Sequence, residues 1–267
     1  MGRRSPGPPR AVNPPPVLPW PPLIPGTLIH RYQRFLADIR REDGTVVTAH
    51  CPNSGKMTAC CEPGRPVWIS FHDNPRRKLK YTWELIEMPD SLVGVNTGVP
   101  NRLVADSIAA GAVPELAGYD AVRREVAVGD RSRIDIRLDR AGRPPCFVEV
   151  KNCTLVENGI AAFPDAVTTR GLKHLHALRR LAAEGSRAVI FFLIQRMDAE
   201  RFRPADEVDP AYGAGLREVL AAGVEAIAYD VQLDWTGIRL GRRLPVEMSR
   251  APNRFESDIR KGRTPWN

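Results

Sequence analysis

Two carboxylates and a lysine in one short stretch have the types and spacing of a metal-assisted phosphoryl-transfer site. The stretch is SRIDIRLDRAGRPPCFVEVKN, Ser132 to Asn152. Ile134, Ile136 and Leu138 alternate with Arg133, Asp135 and Arg137. Cys146, Val148 and Val150 alternate with Phe147, Glu149 and Lys151. Period-two alternation marks two half-buried strands, and Asp139 to Pro145, centred on Gly142, reads as the turn between them. A hairpin symmetric about Gly142 sets Ile134 against Val150, Ile136 against Val148 and Leu138 against Cys146, so that all six share one apolar face. The same register sets Asp135 opposite Glu149 and Arg133 opposite Lys151 on the other face. Carboxylates directly across a ladder repel, and a divalent cation removes the repulsion. Carboxylate oxygens suit Mg²⁺ or Mn²⁺, which keep several waters. Lys151 projects on the same side as Glu149, where it can orient a metal-bound water or stabilise charge on a phosphate. The competing reading is an amphipathic hairpin with a solvated outer face. Phe147 on the charged face counts against it, as does the helix that must pack on one side of this sheet.

Elements on either side must position that hairpin. From about 96 to 248 the pattern is mixed α/β. A helix at Arg102 to Ala110 is followed by strands at Arg123 to Val128, Ser132 to Leu138 and Cys146 to Lys151. A long amphipathic helix from Ala166 to Ala183, with Asp165 as N-cap and Gly185 past its C-terminus, precedes the strand Ala188 to Gln195. A helix at Tyr212 to Ala222 and a strand at Val224 to Asp230 follow. Strand, helix, strand in that order predicts parallel crossovers. From about 23 to 95, five short strands predict a small barrel, OB-like or SH3-like. They are Thr27 to Ile39, Thr45 to Cys51, Pro66 to His72, Lys80 to Met88 and Ser91 to Val95, with a short helix near Ser54 to Met57.

The barrel half carries NPRRKLKYTWEL, in which Arg76, Arg77, Lys78 and Lys80 adjoin Tyr81 and Trp83. Basic side chains follow a phosphate backbone while aromatic rings stack on bases, so these six are candidate nucleic-acid contacts. The competing reading puts both rings in the core. Arg31 and Arg34, in the first strand, are weaker candidates. The 267-residue chain has a net charge of +8, which favours a polyanionic partner. Residues 1–100 carry +5, residues 101–248 are neutral and residues 249–267 carry +3. The basic share thus falls on the barrel and the two ends, and the carboxylate-bearing half is balanced.

Composition bounds the rest. At 43% apolar the chain is not wholly disordered, and no apolar run approaches a membrane span. Ten of the 25 prolines lie in the first 25 residues, so residues 1–22 read as a disordered Pro-rich tail, and the polar residues 249–267 as a second one. Arg3-Arg4 is not followed by an apolar export segment, and the five cysteines show no disulfide framework. A reduced, cytoplasmic setting is therefore expected. His50-Cys51 and Cys60-Cys61 lack the spacing of a zinc site.

The chain resembles the sugar fermentation stimulation protein A family. The resemblance rests on RYQRFLADI, TAHCPNSGKM, NPRRKLKYTWEL and VGVNT in the first half. In the second it rests on SRIDIRL, FVEVKN, FPDAVTTRGLKHL, AVIFFLIQR and AGVEAIAY, so that it spans residues 23 to 248. It implies an OB-fold domain at 23–95 and a PD-(D/E)xK nuclease-like α/β domain at 96–248. It also implies DNA binding and a link to the regulation of sugar use, maltose metabolism included. On that motif Asp135 matches the lone acid, and Glu149 and Lys151 match the (D/E)xK pair; Ile134 stands where the motif has proline. A further acid from the first helix often completes such sites, which makes Asp106 the candidate third metal ligand and Glu125 the alternative. Lys173 is an additional candidate contact. An intact motif leaves open a metal-dependent nuclease, a non-catalytic DNA-binding regulator and, more remotely, an RNA-processing factor.

Overall fold

Short alternating segments in the first half close into a barrel. The structure is a computed structural model that describes residues 14–128 and 132–249. The barrel strands are preceded by β1 (Leu18–Pro19) and comprise β2 (Leu23–Tyr32), β3 (Leu36–Arg41), β4 (Val46–His50), β5 (Pro66–Phe71) and β6 (Tyr81–Met88). Antiparallel pairing runs β4, β3, β2, β5, β6. A parallel contact of Ala49 and His50 with Tyr81 and Thr82 joins β4 to β6 and closes the ring. This is the five-stranded Greek-key barrel of the OB fold, and β7 (Ser91–Gly94) adds to β6 outside it. Leu28, Ile39, Ile69, Trp83 and Ile86 fill its interior.

Two local expectations change. The single strand read at Thr27 to Ile39 is two strands, because Gln33 and Arg34 adopt positive φ (45° and 66°) and reverse the chain. Arg34 therefore sits on a turn and not in a strand. No helix forms at Ser54 to Met57. The Arg31 guanidinium collects the carbonyls of Asn53 (2.8 Å), Gly55 (2.9 Å) and Lys56 (3.2 Å), so these groups accept from a side chain and not from helical amides. Arg31 thereby becomes a loop anchor.

In the second half α1 (Val99–Ala109) precedes β8 (Ala121–Val128), β9 (Ser132–Arg140) and β10 (Arg143–Cys153). Then come β11 (Leu155–Glu157), β12 (Ile160–Phe163), α2 (Thr169–Ala183), β13 (Arg187–Ile194), β14 (Arg201–Pro204), α3 (Pro210–Ala221), β15 (Glu225–Leu233) and β16 (Gly237–Leu244). The main sheet has the order β1-β16-β15-β13-β10-β9-β8. Strands β10, β13 and β15 are parallel, with α2 and α3 as the expected crossovers. One face packs on α1 through Leu103, Val104 and Ile108; the other packs on α2 and α3 through Leu175, Leu178, Leu216 and Val219. Burial on both faces explains the unbroken apolar run AVIFFLI in β13. Strands β11, β12 and β14 form a small separate sheet.

The Pro-rich segment is not wholly apart from the fold. Leu18 and Pro19 pair with Ile238 and Gly237 at the β16 edge, and Trp20 Nε1 donates to the Asp234 carbonyl at 2.8 Å. Covering that edge removes an open row of backbone groups. Residues 1–13 and 250–267, expected to be disordered, lie outside the described residues. No helix among the described residues is long and apolar enough to cross a membrane.

Several bonds lock the halves together. The Gly94 amide donates to the Gln195 carbonyl (2.9 Å), and Thr97 Oγ1 donates to the Pro52 carbonyl (2.5 Å). Arg196 bridges the carbonyls of Ala59 and Thr154. Asp165 accepts the Met57 amide across the interface, and a Cβ on Gly55 would meet its carboxylate at 2.2 Å. The expected N-cap role of Asp165 passes to Thr168, whose side chain accepts the Gly171 amide.

Candidate active site at a strand fork

Strands β9 and β10 pair in the expected register from Leu138–Cys146 through Arg137–Phe147 to Ile136–Val148. Beyond that pair the Asp135 carboxylate enters the ladder, where its Oδ2 accepts the Val150 amide at 2.8 Å. A side chain thus accepts the hydrogen bond that a ladder would direct to a backbone carbonyl. Ile134 packs with Phe147, Leu175 and Phe192 on the α2 side, whereas Ile136, Val148 and Val150 pack under α1. The expectation that all six apolar residues share one face fails for Ile134, because the strand changes face at Asp135.

Helix α1 supplies the partner of the other Asp135 oxygen. Asn101 Nδ2 donates to Oδ1 at 2.7 Å and lies 3.5 Å from Glu125 Oε1. Glu125 flanks Asp135 on β8 between the pairs Arg124–Ile136 and Val126–Ile134, and holds a positive φ of 55°. Such a conformation is costly for a residue with a Cβ.

Glu149 is 2% exposed. Its Oε1 accepts from Lys151 Nζ at 2.6 Å and from His174 Nδ1 of α2, and those two nitrogens are 3.3 Å apart. Its Oε2 is buried and has no hydrogen-bond partner. Burial pushes Glu149 up, but the His174 bond and the Lys151 charge outweigh it and hold the carboxyl below its ordinary value. Asp135 goes the other way. Burial first, and then the charge of Glu149, raise it to about 6.

An orphaned buried carboxylate oxygen beside a second, destabilised carboxylate fits a dication, which would satisfy the first and relieve the second. No three His, Cys, Asp or Glu side chains among the described residues converge as a ready-made metal cage. Mg²⁺ needs none, since one or two carboxylates with water and phosphate complete its shell.

The structure brings Asp135, Glu149 and Lys151 together and leaves Asp106 and Lys173 out. Leu103, Val104, Ser107 and Ile108 face the core, so Asp106 falls on the outer face of α1, where Arg102 pairs with it at 3.5 Å. Glu125 is the acid nearer the fork. Lys173 is exposed, and the next residue, His174, reaches Glu149 instead. Sequence reading missed Asn101 and His174. Helical phase held the signal for His174, which lies three residues after buried Gly171 and four before buried Leu178.

On the barrel, Arg76 and Lys78 are exposed in the β5–β6 loop. Arg77 donates to Thr82 Oγ1 at 2.7 Å, and Lys80 Nζ to the Asn74 carbonyl at 3.0 Å. Tyr81 is half-buried against Phe71, with ring centres 5.4 Å apart. Trp83 is a correction: its ring is fully buried in the barrel and its Nε1 donates to the Leu85 carbonyl at 2.8 Å, so it is not available to stack on a base.

Residues 29–95 match the family described as the SfsA N-terminal OB domain, and residues 98–237 that of the sugar fermentation stimulation protein RE domain. A sugar fermentation stimulation protein homolog of Geobacter sulfurreducens is 56% identical over 225 residues, which cover 84% of this chain and 96% of that one. This chain belongs to the sugar fermentation stimulation protein family. The homolog of Pelobacter propionicus is also 56% identical, over 85% of this chain and 98% of its own. The structure of Pyrococcus furiosus SfsA in complex with Ca²⁺ superposes with a TM-score of 0.79 at 28% identity, covering 86% of this chain and 98% of that one. The resemblance read from the sequence and its architecture, an OB barrel followed by an α/β domain, both hold.

Proposed function

We propose that this SfsA-family protein binds DNA and hydrolyses phosphodiester bonds with a divalent cation held at Asp135 and Glu149. The observation that carries this reading is the orphaned, buried Oε2 of Glu149 beside a carboxyl raised to about 6. The Ca²⁺ complex of the Pyrococcus relative is in keeping with it. When bound, Mg²⁺ or Mn²⁺ would supply Lewis-acid activation of water and of the phosphate. Asn101 fixes one Asp135 oxygen, and the Val150 amide fixes the other. His174 steadies Glu149 through Oε1. Lys151, at the same oxygen, is placed to turn its ammonium toward charge developing on a phosphate. Glu125 is the third acid of the site. The barrel would grip the backbone through Arg34, Arg76, Arg77, Lys78 and Lys80, with Tyr81 beside them. We place this activity in the cytoplasm and connect it, through the family, with regulation of sugar use.

Purified protein is expected to nick supercoiled plasmid with Mn²⁺ or Mg²⁺ and not in EDTA, and Lys151→Ala to lose at least about 100-fold in rate. Absence of cleavage by wild type across metals, with DNA binding retained, would leave the second reading, a non-catalytic regulator. That reading draws on the ammonium of Lys151 already being neutralised by Glu149. Replacing Arg76, Arg77 and Lys78 with alanine is expected to lower the slope of log affinity against log salt by about 2 to 3. An unchanged slope would remove that loop from the binding surface.

A further inference from the structure

One end of the barrel carries aromatic rings that the core does not use. Phe35, on the β2–β3 turn, is 44% exposed, and Phe71, ending β5, is 49% exposed. They do not stand alone. Phe35 lies 6.5 Å from the His50 ring, and Phe71 lies 5.4 Å from the Tyr81 ring. The parallel closure sets His50 beside Thr82 and Ala49 beside Tyr81. Phe35 with His50 and Phe71 with Tyr81 are thus two separate ring pairs at the same end of the barrel, His50 on the face of Thr82 and Tyr81 on the inner face of buried Ala49.

Cations border both pairs. Arg77 bonds Thr82, the register partner of His50, and is close enough to oppose protonation of both His50 and His72, whose pKa values burial and its charge lower. Arg76 and Lys78 extend into solvent beside it, and Arg34 neighbours Phe35. Asp73 is the one acid in the loop joining β5 to β6, against four Lys/Arg. The loop is ordered by its own bonds: the Arg76 amide donates to Asn74 Oδ1 and the Arg77 amide to the Asn74 carbonyl.

A ring reaches a base face in an intact duplex only by unstacking a base step, at a cost in free energy. Exposed rings suit unpaired bases, whose faces are open, with cations alongside to follow the backbone. We propose that this end of the barrel is a binding surface for single-stranded DNA, with Phe35 and Phe71 as its stacking platforms. The inference rests on the reading of this chain as a DNA-binding protein and narrows its ligand to unpaired strand.

The test is fluorescence anisotropy of the full chain with a labelled 20-nucleotide oligo-dT and a 20-base-pair duplex, both in EDTA so that cleavage plays no part. The wild type is expected to bind oligo-dT at least about tenfold tighter than duplex. Each stacked ring supports about 5- to 150-fold in affinity. Phe35→Ala with Phe71→Ala should therefore lose at least tenfold on oligo-dT and stay within twofold on duplex. Both rings are half-exposed, so their removal leaves the core intact; Phe71→Trp should retain binding. Equal wild-type affinity for the two DNAs, or oligo-dT binding unchanged in the double variant, would overturn the proposal. Tighter binding of oligo-U than of oligo-dT would overturn the choice of DNA. Failure to bind any of these would instead sink the DNA-binding reading itself.

Discussion

Asp135→Asn is expected to lower metal-dependent nicking by about a thousandfold or more and, at the same time, to make the protein more stable. The two effects have one cause. The Asp135 carboxyl is raised from 3.8 to about 6, first by burial and then by the charge of Glu149. Between those values the folded state holds a proton that the unfolded chain has released. Stability therefore falls as pH rises from about 4 to 6, and above that the full penalty of the ionised group is present. At 1.36 kcal/mol per pH unit the penalty is at most about 3 kcal/mol. Its partial exposure to solvent and the charge-assisted Val150 bond bring a realistic gain to about 1–2 kcal/mol. Asparagine keeps the shape and can still accept the Val150 amide through its own oxygen, while Asn101 can turn its amide to accept in place of donating.

Melting curves at pH 4, 5, 6 and 7 would show this directly. The variant should match wild type near pH 4 and exceed it by several degrees at pH 7. Added Mn²⁺ should raise the wild-type melting temperature and leave the variant unmoved, because the ion stabilises only a state that holds it. A variant less stable than wild type at pH 7 would show that Asp135 is not a carboxylate held against its preference. Undiminished nicking would remove Asp135 from the chemistry.

The hairpin register could be read from the sequence because apolar alternation has period two and the turn has a clear centre at Gly142, which adopts φ 73°. The parallel order of the second half followed from strand–helix–strand alternation for the same kind of reason. The fork could not be read that way. Alternation runs unbroken through Ile134, Asp135 and Ile136, and the change of face there depends on Asp135 competing for the Val150 amide, a tertiary event. Residue type alone points to Asp106 and Lys173, but on a helix phase decides. Asn101 and His174 stand on the inner arcs of their helices, and Asp106 and Lys173 do not. Arg31, at half-strand spacing from Arg34, had no local sign that its guanidinium would serve three loop carbonyls.

Trp83 makes the same point for the barrel and carries the second large effect. Its neighbours in sequence, Tyr81 and four cations, fit a base-stacking surface as well as they fit a core strand. Closure of the ring decides between the two. With β6 paired to β5 on one side and to β4 on the other, the side chain at 83 points inward among Leu28, Ile39 and Ile69. Trp83→Ala is therefore expected to cost about 3–5 kcal/mol and to leave the Leu85 carbonyl without its indole donor, which urea denaturation would register as a large fall in midpoint. Trp83→Leu separates packing from recognition. Leucine keeps much of the apolar contact but has no ring to stack. It should cost about 1–3 kcal/mol while oligonucleotide affinity stays within about twofold. A loss of tenfold or more in a folded Trp83→Leu variant would mean that the ring reaches the ligand. Inward closure makes that result incompatible with the barrel as built, since an indole buried to the last atom inside a five-stranded ring has no face left to offer a base.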